Sequence, residues 1–300
     1  MSTWTPPGKI APDGTHYQLL GPLDSRHIVL CVHGIGSFHS VFDDLADQLA
    51  ASDFKVVQYD LLGRGFSSNH STEKFDAEAH LDQMRRLVVE TLAIVTPIHI
   101  VAHSMGGALT ALYAAKYPKD VLSVTLLAPA GLMNPGPLPL IRNVSCMAAI
   151  TRSILSQPAQ QKKAWRNDFY NHQGRYLESE EATVRRMQRM YDNNPGAFNA
   201  FWQSVLQFPL YGLDQEVKQM AENENLSVFV LWGKNDVAVP LEPSFSRWTA
   251  ALNAGKCTLT TKQLDNAGHG FLLEYPEHTN ADILKFLTKV SGNGAADNVM

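Results

Sequence analysis

Five short runs of apolar and β-branched residues recur along this chain, and turn-forming or helical segments separate them. The runs span residues 27–32, 54–59, 98–102, 121–127 and 226–232. Runs of this length and composition are typical of the strands of a parallel sheet that is covered on both faces. The pattern therefore predicts an α/β fold with a mostly parallel sheet.

The segments between these runs have helical periodicity. We predict helices over residues 40–50, 77–94 and 107–117, and a last helix that begins near Pro276. In the second of these helices apolar side chains recur three and four residues apart, which gives the helix one buried face. The third ends before a proline, because the residue preceding a proline disfavours helical backbone.

The alternation of strands and helices is interrupted once. Residues 131–225 contain no convincing strand, open with three closely spaced prolines, and become helical and rich in aromatic side chains. We interpret this segment as a helical cap inserted into a sheet domain formed by residues 1–130 and 226–290. Residues 291–300 are small and polar, and they are predicted to form a flexible tail.

Composition excludes several classes of protein. The chain has 300 residues, of which 45% are hydrophobic and 18% charged, which excludes a mostly disordered protein. The net charge of −4 excludes a strongly basic nucleic-acid-binding protein. The cysteines are too few and too scattered for a disulfide framework or a zinc site, and no phosphate-binding glycine motif follows a strand. We therefore expect neither a metal nor a cofactor.

One local motif combines a strand, a serine and a helix. Residues 98–107 read IHIVAHSMGG, so a buried strand leads through small-x-Ser-x-Gly into a predicted helix. A sharp turn between strand and helix exposes the Ser104 hydroxyl, and the free N–H groups at the start of the helix can stabilise an oxyanion. The residues two positions before and after Ser104 are small, as the close approach of the two backbones requires. Ser104 is the predicted nucleophile.

This motif resembles the nucleophile elbow of the α/β-hydrolase superfamily, with Ala102 in place of the usual first glycine. The resemblance covers nearly the whole chain outside the inserted segment. It implies a mostly parallel α/β-hydrolase sheet with helices on both faces and an inserted helical cap.

The resemblance also implies a catalytic triad in the chain order Ser, acid, His. His269 lies between two glycines, before the last helix, and is the predicted base. Asp236 follows the last of the five apolar runs and is the predicted acid, which orients His269 and stabilises the imidazolium. Asp265 is the alternative acid, although it lies only four residues before His269.

The loop after the first apolar run matches the His-Gly-x pattern of the superfamily. The resemblance implies that the backbone N–H groups of Ile35 and Met105 form the oxyanion hole. His33 is expected to support this loop rather than to transfer protons. The motif D-x-x-G-x-G-x-S at residues 60–67 is interpreted as a structural loop beside the elbow.

The function expected from these residues is the hydrolysis of carboxylic esters of small apolar or lipid-like substrates through an acyl-enzyme. A first alternative is a carbon–carbon bond hydrolase of ring meta-cleavage products, for which Arg64, Arg142 and Arg166 are candidate anchors of the substrate carboxylate. A second alternative is a slow hydrolase, or a non-catalytic protein, that acts as a small-molecule receptor.

Two parts of the inserted segment have alternative interpretations. The apolar residues of 198–205 are expected mainly to pack the cap onto the core, with an acyl-chain pocket as the alternative. The proline-rich stretch 132–140 is interpreted as a connector, with a lid hinge or a shallow membrane contact as alternatives. No apolar run approaches the ~18 residues of a membrane-spanning helix, and Met1–Pro7 does not resemble a secretory signal. Together with the absence of a C-terminal lipidation signal, this predicts a cytoplasmic location.

Overall fold

The computed structural model describes residues 7–68 and 74–294, and within these ranges the fold is built on one sheet of eight strands. The strands are β1 (Lys9–Ile10), β2 (His16–Leu20), β3 (Ile28–Val32), β4 (Lys55–Tyr59), β5 (Ile98–His103), β6 (Val121–Leu127), β7 (Ser227–Gly233) and β8 (Thr258–Leu264).

The strands lie side by side in the order β1-β2-β4-β3-β5-β6-β7-β8. The pairs β1–β2 and β2–β4 are antiparallel, and all other pairs are parallel. Every residue of β3 and β5 is buried, because helices cover both faces of the sheet. This confirms the predicted mostly parallel α/β fold and explains why these strands are continuous apolar runs.

Twelve α-helices lie within the described residues. They are α1 (Asp43–Ala50), α2 (Ala77–Arg85), α3 (Met105–Lys116), α4 (Leu138–Asn143), α5 (Ser145–Leu155), α6 (Pro158–Asn167), α7 (Arg175–Asn193), α8 (Ala197–Gln207), α9 (Asp214–Ala221), α10 (Leu241–Asn253), α11 (Phe271–Glu274) and α12 (Pro276–Gly294).

The observed elements differ from the predicted ones in three places. The helix predicted over 77–94 changes to a π-helical turn at Arg86–Thr91. Strand β8 has no buried residue, so its sequence lacks an apolar run. The antiparallel strand β1 has two residues and lies at the opposite edge, with β2 next to it, and neither strand is a continuous apolar run. In the described ranges, no helix has the length and hydropathy needed to cross a membrane.

The inserted segment forms six helices, α4 to α9, between β6 and β7. Helix α9 packs on α3, and its residues Val217 and Met220 belong to the main core. Helices α6 to α8 instead contribute to a separate apolar cluster that includes Trp165 and Met187. We therefore propose a cap that ends with α8 rather than at residue 225.

The C-terminal segment is more ordered than the sequence suggests. Helix α12 continues to Gly294, so the first residues of the predicted tail 291–300 are helical. Ser291 is buried and its hydroxyl hydrogen-bonds His99 Nε2 at 3.2 Å, which holds this end of the helix against the sheet. Residues 1–6 and 295–300 lie outside the described residues.

Gly106, in the first turn of α3, provides a test of the packing of this helix on the sheet. A Cβ atom at this position would overlap the backbone carbonyl of Val32 in β3. Gly106→Ala is expected to lower the free energy of unfolding by about 2 kcal/mol or more, because backbone atoms cannot move aside cheaply.

The matched control is Gly292→Ala, since a Cβ at that helical position meets no atom within 4 Å. The control is expected to leave stability unchanged or to raise it by about 0.5 kcal/mol. Urea unfolding of both variants provides the measurement. Equal stability of the two variants would show that α3 does not approach β3 as described.

Candidate active site

Ser104 occupies the sharp turn between β5 and α3. Its backbone has φ 56° and ψ −121°, a conformation that residues other than glycine rarely adopt. Hydrogen bonds hold the turn: Ser104 N–H donates to the Leu127 carbonyl at 2.9 Å, and the Ser104 carbonyl accepts from Gly107 N–H (2.9 Å) and Ala130 N–H (3.0 Å). The surrounding backbone thus fixes the strained conformation, and Ser104 lines a cavity.

Glycine and alanine allow the close approach of backbones around Ser104. Gly106 faces the carbonyl oxygen of Val32, as described above. A Cβ at Gly34 would lie 3.1 Å from Ser104 Cβ, which is tighter than ordinary contact. Ala102 is fully buried beside them. The small-x-Ser-x-Gly pattern therefore has a steric cause in this fold.

His269 and Asp236 form a buried hydrogen-bonded pair. His269 Nδ1 lies 2.6 Å from Asp236 Oδ2, and both side chains are at most 7% exposed. Asp236 Oδ1 accepts the N–H groups of Ala238 (2.9 Å) and Val239 (2.8 Å), which fixes the carboxylate. Because a carboxylate only accepts, Nδ1 of His269 carries the hydrogen and Nε2 of the neutral ring is left as a base.

The alternative acid, Asp265, lies elsewhere. Its side chain is 77% exposed and forms a salt bridge with Lys234 at 2.7 Å. Asp265 directly follows β8, whereas Asp236 lies in the loop after the neighbouring strand β7. Only the second loop brings a carboxylate to Nδ1 of His269.

The local charges raise the pKa of His269. Burial alone would lower this pKa, but the charge and hydrogen bond of Asp236 and the charge of Asp168 outweigh burial, so the pKa lies above the usual 6.5. Burial also raises the pKa of Asp168 to about 6, with His269 opposing and Asp236 reinforcing the shift. Two carboxyl groups therefore act electrostatically on this imidazole.

The loop that contains Gly34 and Ile35 is held from two sides. His33 Nδ1 donates to the Gly34 carbonyl at 2.8 Å, and His33 Nε2 accepts Leu61 N–H at 2.9 Å. Burial lowers the pKa of His33 to about 4, so the ring is neutral and supports the loop. Since the Gly34–Ile35 peptide is trans, the Ile35 N–H points away from the held carbonyl. Met105 is the first residue of α3, and its N–H therefore has no partner within the helix.

Arg64 connects this loop to the inserted helices. Its guanidinium is buried and donates to the Ile35 carbonyl (3.0 Å), the Leu62 carbonyl (2.8 Å), and the Ala200 carbonyl (3.2 Å) and Ser204 hydroxyl (2.7 Å) of α8. Burial lowers the pKa of Arg64 to about 10, which leaves it charged at neutral pH. The sequence showed the motif around this arginine but not its partners in α8.

The loop that carries His269 is held by the inserted segment. Gly270 N–H donates to the Asp168 carbonyl at 2.6 Å, and a Cβ at Gly268 would overlap that same carbonyl. His103 Nε2 donates to the His269 carbonyl at 3.0 Å. The glycines on either side of His269 are thus needed for contact with the segment that follows α6.

Glu274 is a second connection between this loop and the inserted segment. Its buried carboxylate accepts Gly268 N–H (3.0 Å) from the histidine loop and Asn171 N–H (2.7 Å) from the segment after α6. The Asn171 amide also donates to Glu274 (2.8 Å) and to the Asn266 carbonyl (2.9 Å). Sequence analysis missed both Asp168 and Glu274, since they lie about a hundred residues apart and neither belongs to a local motif.

The cavity beside Ser104 and His269 has a volume of about 430 Å³, which is within the usual range for small-molecule sites. Helix α8 contributes Phe198, Phe201 and Val205 to the wall of the cavity. Trp202 of the same helix is buried and is not among the residues that line the cavity. Among the lining residues in the described ranges, four have ionisable side chains: His103, His269, Tyr191 and Asp168. Asp168 is the one carboxylic acid of this set.

The three arginines suggested as carboxylate anchors have partners elsewhere. The bonds of Arg64 are given above. Arg142 donates to the carbonyls of Val205 (2.9 Å) and Phe208 (2.6 Å), and Arg166 pairs with Glu180. None of these arginines is among the residues that line the cavity.

One cluster of possible metal ligands occurs in the described ranges, formed by His16, His39 and Asp60. The Asp60 carboxylate accepts hydrogen bonds from Nδ1 of His16 (2.8 Å) and Nδ1 of His39 (2.9 Å). It also accepts the backbone N–H groups of His39 (2.7 Å) and Phe66 (2.9 Å). Burial alone would raise the pKa of Asp60, but the two histidines lower it well below its usual value. The carboxylate is fully engaged in holding the D-x-x-G-x-G-x-S loop, as expected for a structural motif.

Comparisons with known proteins identify the family. The family model of the alpha/beta hydrolase fold matches residues 27–276. Lipase 3 of Moraxella sp. (strain TA144) is 26% identical over 71% of this chain, and human monoacylglycerol lipase ABHD6 is 22% identical over 91% of this chain and 79% of its own length. A carboxylesterase structure from Nitrososphaera gargenis superposes with a TM-score of 0.73 at 19% identity, over 96% of this chain and 100% of that one.

The sequence matches extend over only part of several relatives. They span 64% of the Moraxella lipase, and 33% and 24% of two further curated relatives. The family model, by contrast, covers most of this chain and includes β3 to β8 together with Ser104, Asp236 and His269. The chain belongs to the α/β-hydrolase fold family.

Proposed function

We propose that the protein is a serine hydrolase that cleaves carboxylic esters of small apolar or lipid-like acyl groups. The observation that carries the proposal is the buried His269–Asp236 pair together with a serine in a strained strand-to-helix turn, because His269 and Ser104 line the same cavity. The names of the three reported relatives and neighbours, lipase, monoacylglycerol lipase and carboxylesterase, all denote carboxylic ester hydrolases.

In the proposed reaction, Ser104 Oγ attacks the ester carbonyl while His269 Nε2 accepts the hydroxyl proton. The oxyanion of the tetrahedral intermediate accepts the N–H groups of Ile35 and Met105. His269 then donates its proton to the departing alcohol oxygen as the C–O bond breaks. A water molecule, deprotonated by His269, attacks the acyl-enzyme, and Ser104 leaves with the proton. Asp236 holds the ring and stabilises its charged form throughout.

The cavity wall favours a neutral acyl chain. Its lining is mostly apolar, and Asp168 is the acidic side chain among the lining residues in the described ranges. A substrate with a carboxylate would place a second negative charge in the same cavity, and none of the three candidate arginines lines it. This observation favours ester hydrolysis over the cleavage of anionic ring-fission products.

Replacing Ser104 with alanine tests the proposed nucleophile. We expect Ser104→Ala to lower kcat/KM for p-nitrophenyl esters by about 10⁴-fold or more, and to abolish labelling by a fluorophosphonate probe. In a series from acetate to palmitate, the wild-type rate should peak at short or medium chains and fall for palmitate. Thermal unfolding confirms that the variant is folded. Labelling of the alanine variant at the wild-type rate would exclude Ser104 as the nucleophile.

Asp168 contributes to the pH dependence of this mechanism, together with the larger effect of Asp236. Because the neutral form of His269 is the base, kcat/KM should rise with pH through the raised pKa of this histidine. Asp168→Asn removes a negative charge that favours the protonated ring, so the midpoint should move to lower pH. Asp265→Asn is the control, since that exposed residue pairs with Lys234. An unchanged midpoint in the Asp168 variant, measured on p-nitrophenyl butyrate, would contradict this role.

Asp168 also provides a test of substrate charge. Esters of equal length with and without a terminal acyl carboxylate should differ by about tenfold or more in kcat/KM, in favour of the neutral ester, as like charges within one cavity repel. Asp168→Asn should reduce this ratio. Preference for the anionic ester in the wild-type protein would favour the carbon–carbon hydrolase instead, and ring-cleavage products would be the next substrates.

Burst kinetics separate the enzyme from the slow-hydrolase receptor. A receptor of that kind would label with the fluorophosphonate probe and release one equivalent of p-nitrophenol, but it would not turn over further. Sustained turnover on the order of 1 per second or faster would exclude this alternative. A cytoplasmic location, expected from the sequence, stays a prediction.

A further inference from the structure

The outer face of helix α5 is apolar and exposed. The helix has no buried residue, and Cys146, Ile150 and Ile154 are four residues apart, so they form one stripe along its surface. Ile150 and Ile154 are 54% and 52% exposed, and Leu140 in the preceding helix α4 is 50% exposed. Large apolar side chains that lie this close together on a surface mark an interaction site.

The same part of the chain is basic. Residues 121–167 contain five lysines and arginines and no aspartate or glutamate, whereas the whole chain has 25 basic and 29 acidic residues. Arg142 and Arg166 have the partners described above. Arg152 lies on the opposite side of α5 from the stripe, and its guanidinium donates to Asn199 Oδ1 of α8 at 3.3 Å. Lys162 and Lys163 are exposed on α6. Exposed positive charge is thus present on α6, the helix that directly follows the apolar stripe, in a protein that is negative overall.

The cavity reaches the surface at this same segment. Leu138 of α4 and Leu155 of α5 line it from within. Gly136, Pro137 and Gln160 also line it, and these three residues are exposed. The entrance to the cavity therefore lies among the elements that carry the apolar stripe and the exposed cations.

We propose that this docking face, formed by Leu140, Cys146, Ile150, Ile154, Lys162 and Lys163, binds the surface of a membrane that contains anionic phospholipid. The two isoleucines enter the boundary between headgroups and acyl chains, and the cations lie at the level of the phosphates. Charge favours this face, because residues 121–167 contain no acidic side chain in a protein whose net charge is negative. The sequence alone pointed to the proline-rich stretch 132–140 as a possible contact, whereas the exposed apolar side chains lie mainly on α5.

This proposal does not depend on ester hydrolysis, because binding is measured without a substrate. The full-length protein is mixed with sucrose-loaded vesicles of phosphatidylcholine alone, or of equimolar phosphatidylcholine and phosphatidylglycerol, and the bound fraction is sedimented. We expect binding to the anionic vesicles, weaker binding to the neutral ones, and a loss of binding as salt is raised.

Two double variants test the two parts of the docking face. Lys162→Glu/Lys163→Glu should lower the partition coefficient on anionic vesicles by more than about tenfold and remove the preference for them. Ile150→Ser/Ile154→Ser should lower it by about tenfold on both vesicle types. All four side chains are at the surface, so both variants should retain the wild-type melting temperature and the wild-type rate on a water-soluble ester, if that activity is present.

The matched controls place the same changes elsewhere. Lys285→Glu/Lys289→Glu alters the net charge equally on the exposed side of α12, and Leu23→Ser/Val95→Ser removes two exposed apolar side chains. Both controls should bind anionic vesicles like the wild type. The proposal is overturned if the wild type does not bind these vesicles, or if the controls weaken binding as much as the docking-face variants.

A second copy of the chain is the other occupant that the measurement can detect. Sedimentation equilibrium of the wild type and of Ile150→Ser/Ile154→Ser reports the oligomeric state in solution. We expect no difference between them. A dimer that the isoleucine substitutions dissociate would assign the stripe to contact between copies and would overturn the membrane proposal.

Discussion

The close approach of α3 to β3 is the constraint on which the rest of the site depends. Because Gly106 meets the carbonyl of Val32 directly, the helix begins immediately after β5, and Ser104 is forced into a left-handed backbone conformation. That conformation projects the hydroxyl from the end of the sheet. It also leaves Met105 N–H at the free end of the helix, beside the loop that follows β3. A single steric contact thus arranges the nucleophile and one half of the proposed oxyanion hole.

Two of the connections between the inserted helices and this framework lie beside the proposed chemistry. Arg64 joins α8 to the carbonyl of Ile35, and Glu274 together with the Asp168 carbonyl joins the segment after α6 to the histidine loop. These contacts are buried and rich in hydrogen bonds to charged groups, which are stronger than neutral ones. Helices α4 and α5, by contrast, carry the exposed apolar side chains Leu140, Ile150 and Ile154. The segment is therefore fixed where it meets the proposed chemistry and open where the cavity reaches the surface.

Much of this arrangement is visible in the sequence, and the limits have physical causes. The central strands were predictable to within one or two residues because burial on both faces makes them continuous apolar runs, whereas β8 carries polar residues at an exposed edge. Ser104 was identifiable because strand, turn and helix are contiguous. The choice between Asp236 and Asp265 depends on which loop reaches Nδ1 of His269, and the structure brings Asp236 there. Asp168 and Glu274 connect segments that lie about a hundred residues apart in the chain, so no local sequence pattern identifies them.

The four bonds of the buried Arg64 guanidinium have a consequence for exchanging modules between members of the family. Two of its acceptors, the Ala200 carbonyl and the Ser204 hydroxyl, belong to α8, while the other two belong to the core. A cap grafted from another hydrolase would leave a desolvated cation without half of its acceptors unless the graft supplied equivalents, and such a loss is costly. Chimeras are therefore best built by retaining α8 and replacing only α4 to α6.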